Sequence, residues 1–374
     1  YPNMRLFRQS SPGDWESVMR SVFETLAECV KTGKTAREKV LSGMLSLEKK
    51  DCQGDEISIK SPHPRLRVGL AWSCRQDNPV TCTRACPFTA FTPLFQLPDV
   101  TFYSTQPGTA DELTVGSPII DLTGHIMDFE DTAALIANLD LVITVDTSVA
   151  HLAGALGKKT WVLLPYAAEW RWMQNRTDSP WYPELSLFRQ PDHGDWSSVI
   201  SEVKYNLSKL IGTGIPNSIF PVCTNNFPGT DERQRLEQSL ARHQQELAVN
   251  PDSPDASLDV GAAFALLGRY REAEPYFRNV LRIEPGHVAG HLNLAYTLLS
   301  MGQYSEGWQH FEWRLNRIKA GQLPPWPLLK RETIGKHRAG TSVLVHCEQG
   351  FGDTIQFARF LPLLEKLGYQ VIIS

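Results

Sequence analysis

The chain has 374 residues, 42% of them hydrophobic, so it is long enough for two or three domains with sizeable cores. Its 37 Lys and Arg against 41 Asp and Glu give a net charge of −4, which leaves no electrostatic footprint for nucleic acid or an anionic membrane. Seven scattered cysteines point to reduced thiols in a cytoplasmic setting rather than a disulfide framework, and Cys74, Cys82 and Cys86 lack the paired spacing and nearby His of a metal site.

No stretch approaches the roughly 20 apolar residues of a membrane span, and the start does not read as a signal peptide. The chain opens at Tyr1 and stops at Ser374 inside an apolar run, and both ends read as cuts in a longer polypeptide. The first segment, 1–48, contains Tyr1-Pro2, Leu6-Phe7-Arg8-Gln9 and Gly13-Asp14-Trp15. The same series recurs 181 residues later as Tyr182-Pro183, Leu187-Phe188-Arg189-Gln190 and Gly194-Asp195-Trp196. Asp14 and Asp195 suit helix N-caps, so both copies read as the closing segment of one kind of domain.

Between the copies, over 65–211, short apolar runs alternate with helical segments. Leu66 to Trp72 and Val100 to Tyr103 are predicted strands. Asp131 is expected to cap a helix through Leu139, and Leu141 to Val145 is a strand. A helix is predicted from Thr147 to Leu156, stopped by Gly157 and with Leu152 and Leu156 facing the core, and Thr160 to Leu164 is a strand again. The alternation predicts a Rossmann-like α/β half-domain, a parallel sheet with helices on its faces. A linker rich in Gly, Pro and Asn follows at 212–230.

A helix from about Arg233 to Val249 opens the 231–318 region. Val260-Gly261, Phe264, Gly268, Tyr270, Ala273 and Phe277 then return 34 residues on as Leu294-Ala295, Leu298, Gly302, Tyr304, Gly307 and Phe311. That period is the tetratricopeptide pattern, with small residues where paired helices meet and Pro285 closing the first unit. It predicts all-α repeats whose concave face takes a protein or peptide. After Pro324-Pro325-Trp326-Pro327 a β-α-β start is predicted at 341–374. It comprises a strand from Ser342 to Cys347, a helix from Thr354 to about Gly368 and a strand from Tyr369, an incomplete second Rossmann-like half at the C-terminus.

Two strand-to-helix turns carry candidate chemistry. Gly350-Phe351-Gly352-Asp353 allows close backbone approach, yet Ile355 stands where a dinucleotide fingerprint needs a third glycine, which argues against a NAD site. Asp353 reads either as a plain N-cap or as a general base held ionised by the helix dipole. In Asp146-Thr147-Ser148-Val149-Ala150-His151, backbone N–H groups and the Thr147 and Ser148 hydroxyls suit a diphosphate, with His151 one turn on. The alternative is capping by Asp146 plus a structural histidine. Trp170, Trp172, Trp181, Tyr166 and Tyr182 read as core packing or as a stacking wall for a base or sugar. No Asp-x-Asp metal motif is present, which disfavours a metal-dependent sugar transferase.

Gly350 to Gln356, Asp128 to Ile136, Asp146 to Gly154 and Asp178 to Pro183 together resemble bacterial tetratricopeptide-repeat proteins with a family 9 glycosyltransferase-like region, the heptosyltransferase-like group of two-Rossmann-domain enzymes. The resemblance covers about 65–211 and 254–374. It implies inverting transfer from a nucleotide sugar, without metal or further cofactor, with Asp353 as base. Asp146, Thr147, Ser148, His151, Gln106 and Arg84 would stand on the donor side. The chain departs from that pattern at Cys74-Arg75-Gln76, Val80-Thr81 and Pro107, which favours the rival reading of a non-catalytic repeat scaffold. A nucleotide-sugar epimerase is a third option. The order of parts also differs, since a second half precedes the repeats.

Overall fold

A computed structural model describes residues 66–74, 84–106, 118–212, 229–317, 329, 333–338, 340–346 and 350–373. The first copy of the duplicated segment, with Asp14, lies outside these residues, as do Cys82, Val80-Thr81, Pro107 and most of the 212–230 linker.

Six strands form one parallel sheet: β1 (Leu66–Ala71), β2 (Val100–Ser104), β3 (Ile119–Asp121), β4 (Leu141–Val145), β5 (Thr160–Leu164) and β6 (Leu185–Arg189). Their spatial order is β3-β2-β1-β4-β5-β6. The chain steps outward from β1 to β3, then returns to place β4 beside β1, pairing Val68 with Leu141 and Leu70 with Ile143. Loops leaving β1 and β4 therefore part in opposite directions and open a crevice at the sheet's carboxyl edge.

Alternation along the strands sorts the two cores. Val68, Leu70, Leu141, Ile143 and Val145 face one side, covered by Phe91 and Leu94 from short 3-10 turns and by Trp196, Val199 and Val203 of a helix at Trp196–Leu210. Ala71, Tyr103 and Val142 face the other side. There they meet Leu135 and Ile136 of α1 (Phe129–Ala137), and Val149 and Ala153 of α2 (Ser148–Ala155). The Trp196–Leu210 helix is α3. Asp195 caps it as expected, accepting from the Ser198 N–H at 3.0 Å and holding the Ser197 and Ser198 hydroxyls. The second copy of the duplicated segment is thus the sheet's last strand and its covering helix.

Some sequence expectations shift by a turn. Asp128, rather than Asp131, caps α1, accepting from the Glu130 and Asp131 N–H groups. The Asp131 carboxylate accepts from the Met127 N–H at 2.9 Å, one residue before the cap. Leu156 is exposed, because α2 ends at Ala155 and Gly157 turns the chain away with φ 64°.

The repeats comprise α4 (Gly229–Val249) followed by two hairpins, α5 (Pro254–Leu266) with α6 (Tyr270–Ile283) and α7 (Val288–Ser300) with α8 (Tyr304–Phe311). Gly268 and Gly302 make the inter-helix turns with φ 72° and 79°, values that carry a side chain only under strain. Gly261 lets α5 close on α6: a Cβ there would lie 2.7 Å from the Phe277 ring.

The last unit pairs β7 (Ser342–Val345) with β8 (Gln370–Ile373) in parallel. Between them, the single helix expected from Thr354 to Gly368 is two: α9 (Phe351–Ala358) and α10 (Leu361–Lys366). Pro362 sits in the first turn of α10, where its missing N–H is tolerated. No helix among the described residues is long and apolar enough to cross a membrane.

Replacing Gly261 with Val should overpack the α5–α6 contact, because the Phe277 ring is 1% exposed and has nowhere to move. A loss of about 1–3 kcal/mol is expected in urea unfolding of the repeat region, and an unchanged midpoint would contradict this packing.

Candidate functional site

The crevice edge is built by the residues that follow β1, β2 and β4. Gln106 is committed to structure, since its side-chain oxygen accepts from the Trp72 and Ser73 N–H groups at 2.9 and 2.7 Å, tying the end of β2 to that of β1. Thr147, not Asp146, caps α2, accepting from the Val149 N–H at 3.3 Å. Asp146 is 4% exposed and pairs with Arg84 at 3.3 Å. Arg84 also faces Glu169 at 3.8 Å. Thr147 and Ser148 are half-buried at the α2 start.

His151 is 3% exposed. Its Nδ1 lies 3.1 Å from the Tyr182 hydroxyl, and its ring stacks on Trp172 with centroids 5.4 Å apart. Burial lowers its pKa to about 4, helped by the Arg171, Arg359 and Arg84 cations and opposed by Asp146, so the imidazole is neutral at physiological pH. Burial likewise raises the Tyr182 hydroxyl.

The start of α9 reaches this same place. A Cβ on Gly352 would lie 2.8 Å from the His151 ring, so glycine is what permits the helix to approach. Asp353 sits in the first turn of α9, whose N-cap is Gly350, which removes the plain N-cap reading. Its carboxylate is ion-paired with Arg171, and Arg171 with Glu169. Charges of alternating sign thus run Asp146, Arg84, Glu169, Arg171, Asp353 from the sheet to α9. Arg359 donates to the Trp181 carbonyl at 2.5 Å and lies 4.5 Å over the Tyr182 ring. Phe351 packs on Phe129 of α1 at 4.6 Å. Against these contacts stands Gln356, fully buried, whose amide finds no hydrogen-bond partner among the described residues. Such a group costs about 1–3 kcal/mol.

The structure therefore brings Asp353, Asp146, Arg84, Thr147, Ser148 and His151 together, with Gln106 bracing the crevice wall. Arg171 and Glu169 were not legible in the sequence as site residues. The only signal was their place at the start of the tryptophan-rich 169–181 stretch. The aromatic cluster of residues 166–182 is mainly core, with Trp170, Trp172 and Tyr182 buried and Tyr166 exposed. Among the described residues no cluster suits a metal ion.

Part of the parallel sheet and part of the helical repeats each match a known family. Residues 104–173 match the model of glycosyltransferase family 9 (heptosyltransferase), and residues 264–307 match a tetratricopeptide repeat. The first match spans Asp146 to His151, Glu169 and Arg171, and stops well before Asp353. The chain is thus similar to family 9 glycosyltransferases over part of its sheet domain and to tetratricopeptide repeats over part of its helical region. Among relatives, it is 30% identical over 152 residues to Protein FlbA of Caulobacter vibrioides, a match over 37% of this chain and 24% of that protein. The chain thus spans about a quarter of that relative's length. Solved structures similar in part include MamA MSR-1, at 20% identity and TM-score 0.21 over 32% of this chain and 74% of that one. MamA AMB-1 is similar at 20% identity and TM-score 0.22, over 33% and 67%.

His151 makes stability depend on pH with a definite sign. Its folded pKa lies below the ordinary 6.5, so the unfolded chain binds the proton more readily. The contribution is complete above pH 6.5 and is lost as pH falls toward about 4, on the order of 3 kcal/mol across the window. Replacing His151 with Gln should flatten the stability profile between pH 6.5 and 4, as measured by denaturant unfolding at each pH. A slope equal to that of the wild type would contradict the buried neutral state.

Proposed function

We propose that the protein transfers a sugar from a nucleotide sugar to an acceptor hydroxyl by inversion, without a metal ion. The observation that carries this reading is the seating of Gly352 on His151, which sets Asp353 beside the α2 start at the crevice of a family 9-like sheet. The Asp353 carboxylate would take the acceptor proton as the hydroxyl oxygen attacks the anomeric carbon. The bond to the diphosphate oxygen breaks on the opposite face. The departing diphosphate would meet the Thr147 and Ser148 hydroxyls and the N–H groups of the α2 start, with Arg84 and Arg171 as the nearest cations. No cofactor beyond the donor is required. The repeats would bind a protein or peptide, and the reduced cysteines fit a cytoplasmic protein.

A second reading, a repeat scaffold whose transferase part is silent, is favoured by the ion pairs themselves. Arg84 and Arg171 each already face carboxylates, so a diphosphate would have to displace Glu169 or Asp353.

Titration with nucleoside diphosphates separates the readings. The wild-type chain should bind, and Ser148→Asp should lose at least tenfold in affinity. A carboxylate at a helix start is tolerated by the fold yet repels a diphosphate. Equal affinity for the two chains would remove the α2 start as the donor site. Asp353→Asn should retain diphosphate binding while abolishing release of nucleoside diphosphate from a nucleotide sugar in the presence of acceptor. Binding without turnover in the wild type would support the scaffold.

A further inference from the structure

The repeat module reaches both walls of the candidate cleft through one side chain. Trp308, on α8, stands edge-on to Trp170 of the sheet domain with centroids 5.3 Å apart, and edge-on to Phe357 of α9 at 6.3 Å. Trp170 carries the Arg171 guanidinium 5.4 Å from its ring centre. Phe357 lies one helical turn after Asp353 on α9. Each partner of the Arg171–Asp353 ion pair is therefore one residue or one turn from a ring that packs on Trp308.

The same edge of the repeats touches the sheet domain elsewhere. The Tyr270 hydroxyl donates to the Ala168 carbonyl at 3.3 Å, and α7 packs on the 170–172 turn. A cavity of about 580 Å³ separates the 173–176 segment from the turns at Gly268 and Gly302. The turn edge of the hairpins thus faces the site. Among the described residues β7 and β8 form a two-stranded sheet, and α9 meets the sheet domain through Gly352, Asp353 and Arg359. These contacts, made from outside the unit, bear on where Asp353 stands.

We propose that Trp308 is a positioning residue, a wedge from the repeat module that holds α9 and the 170–172 turn together so that Arg171 and Asp353 stay paired at the start of α2. The proposal rests on the reading of Asp353 and His151 as parts of one site. It makes the second repeat part of the frame of the candidate active site as well as a binding surface.

The test uses the full chain and the His151 ring as reporter, followed by NMR across pH 3 to 8. In the wild type the ring should titrate near 4. In Trp308→Ala, α9 should leave the ring, carrying Gly352 and the Arg359 cation away, and the midpoint should rise toward the ordinary 6.5. Trp308→Phe, which keeps an aromatic edge, should restore a low midpoint. Far-UV circular dichroism establishes that each variant is folded. If Trp308→Ala does not fold, Phe357→Ala removes the α9 side of the same contact and should raise the midpoint in the same way. A midpoint still near 4 in the folded variant would overturn the proposal. The reporter needs no ligand, so a wild-type chain that ignores nucleoside diphosphates rejects the transfer reading, while the midpoints still decide the role of Trp308.

Discussion

The contact on which the candidate site depends is the seating of α9 against α2, held by the ion pair of Asp353 on α9 with Arg171 of the 170–172 turn, 182 positions away in the sequence. Gly352 makes the approach sterically possible and the ion pair makes it electrostatically favourable. Both are required, because Asp353 is only partly shielded from water and an ion pair at such a place contributes little by itself. The approach also seals the His151 ring, which turns an ordinary titrating histidine into a neutral one.

The sheet supplies the other half of the arrangement. A parallel sheet whose strand order reverses between β1 and β4 presents loop ends at its carboxyl edge. Polar residues of quite different kinds collect there and satisfy one another. Gln106 is spent on backbone N–H groups, Thr147 on capping, and Arg84 on Asp146. This mutual pairing is how so many polar groups share one crevice. It is also why any anion entering it competes with Glu169 and Asp353 for the same two guanidinium groups.

The repeats join this frame rather than trailing from it. Helical hairpins gain most of their stability from neighbours, and the second hairpin finds one in the tryptophan-rich turn after β5. Aromatic edges at Trp170, Trp308 and Phe357 are where the repeats, the sheet domain and the α9 unit meet.

Much of this was written in local patterns. The 34-residue period located both hairpins and their glycine turns, and the apolar runs at Leu66, Leu141 and Thr160 located buried strands, because periodicity and turn chemistry act over a few residues. The Asp146–His151 and Gly350–Asp353 turns were legible as candidate sites for the same reason. Boundaries slipped where two acidic residues competed for one cap, as at Asp128 and Asp131. The sequence by itself determined the elements, the two architectures and the pair of polar turns. Only the tertiary structure decided that those turns share one crevice, that Arg171 and Glu169 stand between them, that His151 is neutral and that Trp308 braces the junction. Each of these depends on burial and on charges brought close from distant parts of the chain, and neither is encoded in the spacing of neighbouring residues.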